Sequence, residues 1–239
     1  MAGLLVLLAH PDDEFFCGGL LGALGDLGVP VHLAYWTRGE GGGSPRARLA
    51  ARVLPEPLRP RVRAAKRAAR LLRAASLTFL DAVDPAPDPD LKAPAQSREV
   101  FLKKLQALAD KQKPEVVMTH GSQGDYGHPA HQRLHELTRE WAAELGPMMS
   151  FNAAPTSGPA SELFVNTADA ADIVFDAEPY LELKRKLVLA HGAQGAALTA
   201  AAGGDLEKLL QMTRYEGYCI WSAPEAAWAA LERWGCARQ

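Results

Sequence analysis

Short apolar runs alternate with amphipathic stretches through the first half of this chain. Each run is four to six residues long and bounded by polar, Gly or Pro positions, which predicts buried strands. The stretches between the runs repeat apolar residues at helical spacing and therefore predict helices. Strands and helices in alternation are typical of βαβ units, so we expect an α/β fold with a mostly parallel sheet flanked by helices.

The pattern predicts four strands and three helices before residue 120. The strands are residues 4–9, 31–36, 77–80 and 115–119, and the helices are 18–27, 59–73 and 97–112. After His131 the pattern weakens. It predicts a helix to about residue 144, strands over 163–165 and 173–175, and helices over 179–194 and 205–217. The C-terminal portion is therefore expected to be irregular.

Length favours one domain, because single cores grow up to roughly 250 residues and this chain has 239. We expect a single domain over 1–239, with the sheet core in about 1–145 and its completion in about 146–239. Apolar residues make up 48% of the chain and charged residues 23%, which excludes a disordered or fibrous protein.

Charge and cysteine content narrow the class further. A net charge of −2 argues against a general nucleic-acid binder. The three cysteines are widely spaced and form no C-x-x-C pair, which indicates neither a disulfide framework nor a cysteine metal site and fits a reducing, cytoplasmic setting. The apolar run at 3–9 is too short for a membrane span and lacks the basic flank of a signal peptide.

Two clusters of acids and histidines follow the first and fourth predicted strands. One is His10-Pro11-Asp12-Asp13-Glu14, and the other contains Asp125, His128 and His131. In a doubly wound sheet of order 3-2-1-4 these strands are neighbours, and ligands bind outside the carboxyl ends of the strands. We therefore expect both clusters to meet in one crevice.

The chemistry of these side chains fits a catalytic metal. Zinc in enzymes takes three protein ligands and keeps one position open, and two histidines with one aspartate satisfy that need. A neighbouring carboxylate that is not a ligand, such as Asp12, is the natural general base. His128 is then left to stabilise an oxyanion, as a cation or as a hydrogen-bond donor.

A purely structural interpretation of the first cluster is also open. His-Pro-Asp-Asp alone can form a turn whose aspartates accept backbone N–H bonds at the start of a helix. Glu14 can be an ordinary acid at a helix N-terminus, or an acceptor that orients the first cluster. The second cluster after a neighbouring strand favours the metal site.

The same residues resemble a known family. Ala9-His10-Pro11-Asp12-Asp13-Glu14 is similar to the A-H-P-D-D-E signature of the N-acetylglucosaminylphosphatidylinositol de-N-acetylase and LmbE-like deacetylases, relatives of the mycothiol and bacillithiol pathway deacetylases. Residues 127–131 are similar to that family's second motif, G-H-P-D-H. Looser matches lie near residues 37–41, 113–117, 184–194 and 216–218.

The resemblance implies a Rossmann-like fold and the hydrolysis of an N-acetylated sugar or glycoside. By that similarity His10, Asp13 and His131 match the zinc ligands, Asp12 the general base and His128 the electrostatic catalyst. The expected cofactor is Zn²⁺.

Two departures from the family pattern stand out. The residue between the histidines of the second motif is Ala130 instead of Asp, which predicts a less basic His128 unless another acid such as Asp125 takes the carboxylate's place. The helix after the Gly-rich loop lacks the family's Arg followed by Glu, so Arg61 and Arg63 are the candidates for a substrate-binding arginine.

Several other features allow two interpretations. Residues 46–73 hold ten Lys/Arg and one acid, Glu56, which fits a solvated helix face or an anionic ligand. The Gly-rich segment 39–43 lacks a phosphate-loop pattern and is expected at the mouth of the crevice. His191 and Gln194 either line the site or form an exposed helical pair.

The aromatic residues and the isolated histidines indicate a role in the site less clearly. Tyr126 and Trp36 can stack on a sugar or pack in the core or at its rim. His32, His120 and His135 lie in no comparable cluster.

The sequence thus predicts a zinc-dependent deacetylase acting on a small N-acetylated sugar conjugate. The alternatives are a weakly active or non-catalytic metal-containing binder of sugars or nucleotides, suggested by Ala130, and a hydrolase of a non-sugar amide. We expect no nucleic-acid partner and no membrane span, and we leave open whether the chain forms a homo-oligomer.

Overall fold

A computed structural model of the protein describes residues 3–87, 90–154 and 166–236. Its strands are β1 (Leu4–Leu8), β2 (Val31–Thr37), β3 (Ser76–Ala82), β4 (Val116–Thr119), β5 (Met148–Phe151), β6 (Ala153–Ala154), β7 (Asn166–Ala170), β8 (Ile173–Asp176) and β9 (Tyr215–Ser222). Seven of them form one sheet in the order β3-β2-β1-β4-β5-β9-β8, and β6 pairs with β7. The strands from β3 to β5 pair in parallel, whereas β9 is antiparallel to β5 and β8. The predicted α/β class and the order 3-2-1-4 are confirmed.

Helices cover both faces of the sheet. They are α1 (Gly18–Asp26), α2 (Pro45–Val53), α3 (Pro60–Leu71), α4 (Arg98–Gln112), the kinked single turn α5 (Gly124–Gly127), α6 (Pro129–Leu145), α7 (Leu181–Ala190), α8 (Ala193–Ala201), α9 (Leu206–Met212) and α10 (Pro224–Arg233). A 3-10 turn, Asp13–Cys17, runs directly into α1. Within the described residues, no helix has both the length and the apolar character that a bilayer crossing requires.

Strand β1 lies at the centre of the sheet, and all five of its residues are buried. Successive side chains of a strand point to opposite faces, so Leu4 and Val6 join the core beneath α1, α3 and α7, whereas Leu5 and Leu7 join the core beneath α4 and α6. A strand covered on both faces reads as a continuous apolar run. This is why the run at the start of the chain predicts a strand so clearly.

A buried ion pair fixes the start of α1. Lys184 Nζ of α7 donates to Glu216 Oε1 of β9 at 2.6 Å, and both side chains are buried. The two Glu216 oxygens also accept the backbone N–H groups of Gly19 and Leu20, at 2.8 and 2.9 Å. A carboxylate is favourable at a helix N-terminus. The pair therefore anchors the segment that follows the first acid/histidine cluster.

Two predicted helices are wrong in part. The helix predicted over 179–194 ends at Ala190, because Gly192 adopts φ +56 and α8 starts afresh at Ala193. The helix predicted over 205–217 ends at Met212, and the residues from Tyr215 onward form β9. The buried Glu216 interrupts the apolar pattern that would mark this segment as a strand.

Other differences concern elements that the pattern did not predict. The helices α2 and α10 and the strands β5, β6 and β7 are additions, and β9 inserts between β5 and β8. The strand predicted over 163–165 lies outside the described residues.

Candidate functional site

The two acid/histidine clusters meet at the carboxyl ends of β1 and β4. His10 lies two positions past the end of β1, and His131 lies in the first turn of α6, beyond β4. Their side chains are adjacent although the residues are 121 positions apart: His10 Nδ1 lies 3.2 Å from His131 Nε2. The pairing of β1 with β4 is what brings the two segments together.

Asp13 completes a group of three side chains that can each give an electron pair to a metal ion. Its Oδ1 lies 3.5 Å from His131 Nε2, and its Oδ2 lies 3.6 Å from His10 Nδ1. Nitrogen and oxygen ligands at about 2.0–2.1 Å from a tetrahedral zinc lie roughly 3.3 Å from one another. The three separations, 3.2 to 3.6 Å, are close to that value, with the two Asp13 distances measured to different oxygens of its carboxylate.

Hydrogen bonds set the direction of both imidazole rings. His131 Nδ1 lies 2.8 Å from Asp125 Oδ2, and His10 Nε2 lies 3.3 Å from Asp84 Oδ1. With the ring protons on the carboxylate sides, His131 Nε2 and His10 Nδ1 are the atoms whose lone pairs a metal ion would bind. Two lone pairs and the Asp13 carboxylate then face one another. A cation stabilises this arrangement, either a proton, as in the hydrogen bond between the two nitrogens, or a metal ion, and a carboxylate behind each histidine is the usual support of a metal ligand.

The electrostatics of the group agree with this geometry. Burial alone would lower the pKa of His10, but the carboxylates of Asp13 and Asp84 raise it to about 10. Burial also opposes the charge of Asp13, yet His131 and His10 hold its pKa well below the ordinary range. The site therefore has a strong affinity for positive charge, and a proton and a metal ion compete for the same lone pairs.

His120 is a member of the site that the sequence did not single out. It lies directly after β4, is fully buried, and its Nδ1 lies 2.7 Å from Asp125 Oδ2. Its Nε2 accepts the backbone N–H of Ala9 at 3.0 Å. Two groups of side chains are close enough to hold an ion, His10 with His128 and His131, and Asp13 with His120 and His131. In the second group, the bond from Ala9 occupies the His120 lone pair that a metal would need. His120 therefore positions Asp125.

Asp84 was missed as well. It lies in the Pro/Asp-rich loop after β3, is 9% exposed, and accepts the backbone N–H of Gly41 at 3.1 Å. Its position after a third parallel strand is the signal that could have indicated it, because that strand ends at the same edge of the sheet.

Asp12 occupies a strained backbone position beside the candidate metal ligands. Its φ is +115, a conformation that costs free energy for any residue with a side chain. Glu14 Oε2 holds it there by accepting the Asp12 N–H at 3.0 Å and the Tyr35 hydroxyl at 2.7 Å. Burial raises the pKa of Asp12 to about 6, although the guanidinium of Arg61 opposes the shift. Asp12 is thus a carboxylate able to take up a proton near neutral pH.

Arg61 is the candidate arginine that reaches the site. Its Nη2 donates to Asp12 Oδ1 at 3.1 Å and to the Pro11 carbonyl at 2.7 Å. Gly39, with φ +69, leaves room for it, since a Cβ there would lie 2.3 Å from Arg61 Nε. Arg63 is exposed and does not line the cleft, because residues two apart on a helix point in different directions.

His128 is held as a neutral ring. Its Nδ1 accepts the backbone N–H of Ala130 at 3.1 Å, which leaves the ring proton on Nε2. Burial, helped by the nearby His131 and His10, lowers the pKa of His128 to about 3. Asp125 binds His120 and His131 instead of replacing the missing carboxylate at position 130. The expectation of a weakly basic His128 thus agrees with the structure.

Most of these groups line one cleft of about 400 Å³, the main cleft, whereas His120, Asp125 and His131 are buried and do not line it. Its polar wall is formed by the side chains of His10, Asp12, Asp13, Arg61, Asp84, Tyr126, His128 and Gln194. The loop after β2 contributes Gly41 and Gly42. The side chains of the C-terminal half thus complete a site that begins with β1.

Aromatic and histidine candidates divide between the main cleft and the interior. Tyr126 is 48% exposed and lies edge-on to His128 and His131. Trp36 is fully buried and donates to Gln96 at 2.9 Å, so it packs in the core. His191 is buried against Glu14 and does not line the main cleft.

Comparisons with known proteins were made by sequence and by structure. The family model described as PIG-L: GlcNAc-PI de-N-acetylase matches residues 5–142. A 1D-myo-inositol 2-acetamido-2-deoxy-alpha-D-glucopyranoside deacetylase of Saccharopolyspora erythraea is 29% identical over 204 residues, which cover 72% of this chain and 64% of that protein. The chain thus spans less than two thirds of the length of this relative.

Two solved structures share the fold. N,N'-diacetylchitobiose deacetylase from Pyrococcus horikoshii matches with a TM-score of 0.67 at 21% identity, over 91% of this chain and 83% of that one. GalB, the 4-carboxy-2-hydroxymuconate hydratase from Pseudomonas putida KT2440, matches with a TM-score of 0.65 at 19% identity, over 92% and 96%. A deacetylase and a hydratase share this architecture, so the fold alone does not decide the reaction.

The contact of Asp125 with two histidines yields a prediction about metal affinity. Asp125→Asn keeps the side-chain size but replaces an anionic acceptor, so His131 loses the partner that directs its lone pair. We expect zinc affinity to fall roughly 10–100-fold, measured by competition with a chromophoric chelator. Asp110→Asn, an exposed change on α4, serves as the control. Equal zinc affinity in both variants would show that Asp125 has no part in metal binding.

Proposed function

Because the chain belongs to the PIG-L family of GlcNAc-PI de-N-acetylases, we propose that it hydrolyses the N-acetyl amide of an N-acetylglucosamine-type sugar or glycoside. The products are acetate and the free amine. The family resemblance drawn from the two motifs is confirmed by the match over residues 5–142, more than half of the chain. The observation that carries the proposal is that His10, Asp13 and His131 face one another beside the carboxylate of Asp12, which lines the main cleft.

The named relatives support the substrate class. The Saccharopolyspora erythraea protein is named as a deacetylase of a 2-acetamido-2-deoxy-glucopyranoside, and the Pyrococcus horikoshii enzyme as a deacetylase of diacetylchitobiose. Both names describe the removal of acetyl groups from amino sugars. The main cleft, with about 400 Å³, falls in the size range of small-molecule sites.

His10, Asp13 and His131 are the proposed zinc ligands, with Asp84 and Asp125 behind the two histidines. Three nitrogen and oxygen donors with a position left open are the ligand set of catalytic zinc. Zinc at this place would supply Lewis-acid polarisation of the acetamido carbonyl and make water more acidic.

Asp12 is the proposed general base and acid. It lies next to the ligand Asp13 but keeps 17% of its side chain exposed, so it can meet a water molecule in the cleft. It accepts a proton as the water oxygen attacks the carbonyl carbon, and it returns that proton to the nitrogen when the C–N bond breaks. A pKa near 6 suits both steps, and Arg61 keeps the carboxylate in place.

His128 is the proposed donor to the oxyanion. Since Ala130 N–H occupies Nδ1, the Nε2–H of the neutral ring can stabilise the negative charge that develops on the carbonyl oxygen. The role of a cation is less suited to this residue, because its pKa lies near 3. Tyr126, beside His128 at the mouth of the cleft, is the proposed aromatic contact for the sugar.

Ala130 motivates one rival function, a metal-containing binder with little or no turnover. In the structure Ala130 is fully buried in the core beneath α4 and α6, so it acts as a packing residue. Zinc at one equivalent with no acetate from any N-acetylglucosaminyl conjugate would favour that binder. Acetate from non-sugar amides alone would change the substrate class instead.

Asp12→Asn tests the proposed base. The amide keeps the shape of the side chain but cannot accept a proton, so we expect acetate release to fall by about 10²–10⁴-fold with zinc content unchanged. Acetate is measured by a coupled assay and zinc by atomic emission, with Asp110→Asn as the control. Full turnover in a zinc-loaded Asp12→Asn protein would remove Asp12 from the mechanism.

The pH profile tests the contact between Asp12 and Arg61. The base must be ionised, so kcat/KM should decline as the pH falls through about 6, the pKa of Asp12. The positive charge of Arg61 lowers that pKa. Its removal in Arg61→Met should therefore move the acidic limb to higher pH.

The pH at which kcat/KM falls to half its maximum is compared between variants. The maximum itself is compared separately, because it also reflects substrate binding. Arg70→Met, an exposed change on the same helix, should leave the limb in place. An acidic limb that Arg61→Met does not move would contradict the assignment.

A further inference from the structure

A second cavity of about 170 Å³ adjoins the main cleft. Four arginines and one histidine line it: Arg38, Arg59, Arg61, Arg67 and His191. Its remaining lining is made of glycine, alanine and proline residues and Gln194, and none of the described lining residues carries a carboxylate. We call it the basic cavity. It shares Gly42, Arg61 and Gln194 with the main cleft, so the two spaces are neighbours.

Two of the four arginines lack an acidic partner. Arg38 pairs with Asp81 at 2.7 Å, and Arg61 pairs with Asp12. Arg59 and Arg67 instead donate to backbone carbonyls, and neither has a carboxylate partner among the residues that the structure describes. Their charges are thus available to a ligand.

His191 supplies a buried donor at the same place. Its Nε2 contacts Glu14, and its side chain is 1% exposed. The opposite nitrogen, Nδ1, is buried and finds no hydrogen-bond partner within the described parts of the chain. Glu14 raises the pKa of His191 against the effect of burial, which favours a proton on Nδ1. An unpaired buried donor is costly unless a ligand satisfies it.

The start of α8 adds to the positive potential. Gly192 and Ala193 line the basic cavity, and α8 begins at Ala193. The N-terminus of a helix presents a positive dipole end to an anion, and here the N–H groups of Gly192 and Gln194 already bond to the carbonyls of Leu189 and His191. Guanidinium groups, an imidazole N–H and a helix N-terminus therefore converge on one small space.

We propose that the basic cavity binds a phosphate group carried by the N-acetylated substrate while the acetamido group lies in the main cleft. This inference rests on the proposed function for its second half, the link to the substrate. The space suits a single small group, because it offers about 170 Å³, less than half of the main cleft's 400 Å³. Arginine binds phosphate in a planar, two-point contact.

The proposal also explains part of the basic segment 46–73. Arg46, Arg63 and Arg70 are exposed and lie away from the basic cavity, so they form the solvated face that such a run usually is. Arg59, Arg61 and Arg67 of the same segment line the cavity. Both interpretations of the segment therefore hold, for different residues.

Inorganic phosphate is the probe for the first half of the proposal. Its binding to the zinc-loaded protein is measured by titration calorimetry in the wild type and in the double variant Arg59→Gln/Arg67→Gln. The matched control, Arg46→Gln/Arg70→Gln, removes the same charge from exposed positions. Thermal melting shows that each variant is folded.

We expect phosphate to bind the wild type and the control alike, and the cavity variant at least ten-fold more weakly, since hydrogen bonds between charged groups contribute that much or more. No binding to the wild type would overturn the basic cavity as an anion site. Equal binding to the cavity variant, as when phosphate contacts the metal centre alone, would overturn it too.

Acetate release tests the second half. We expect N-acetylglucosamine 1-phosphate or 6-phosphate to have at least a ten-fold higher kcat/KM than N-acetylglucosamine, and Arg59→Gln/Arg67→Gln to abolish that preference. Arg46→Gln/Arg70→Gln should retain it. Phosphate binding without any preference would mean that a free anion occupies the cavity, which overturns the link to the substrate. No acetate from any sugar would defeat the proposed function, whereas the calorimetric result would still decide on the cavity.

Discussion

Two imidazole lone pairs that face each other beside a carboxylate are the constraint on which this site depends. His10 Nδ1 and His131 Nε2 lie 3.2 Å apart, and Asp84 and Asp125 take the protons on the far sides of the rings. Without a cation between them the lone pairs would repel each other in a buried space. A proton, which the raised pKa of His10 favours, or a metal ion with an affinity for nitrogen and carboxylate oxygen resolves that conflict, and the rest of the site is arranged around it.

The fold supplies this constraint through long-range contacts. The pairing of β1 with β4 brings the two clusters together, and the buried Lys184 and Glu216 hold α1 in its place. Glu14 fixes the strained backbone of Asp12. Strain and buried charge are expected where a site must be preformed. The stable core offsets the free-energy cost of the strained backbone and the buried charges at this site.

The sequence predicts the sheet and the donors because both leave local signals. Apolar runs mark the first four strands, and His10, Asp13 and His131 follow strands that the order 3-2-1-4 makes neighbours. His120 and Asp84 escaped prediction because their partners are distant: His120 binds the backbone N–H of Ala9, 111 positions away. The interruption at Gly192 escaped because a single glycine inside a helical pattern is often tolerated, and the change from α9 to β9 escaped because tertiary contacts override helical periodicity there. The basic cavity depends on side chains from three separate segments, which no local pattern reveals.

Anomalous diffraction at the zinc edge, from crystals of the zinc-loaded protein, tests the central claim most directly. The account predicts one strong peak within about 2.0–2.2 Å of His10 Nδ1, His131 Nε2 and an oxygen of Asp13. A peak bound by His120 in place of His10, or a well-occupied crystal with no peak near these three side chains, would contradict it.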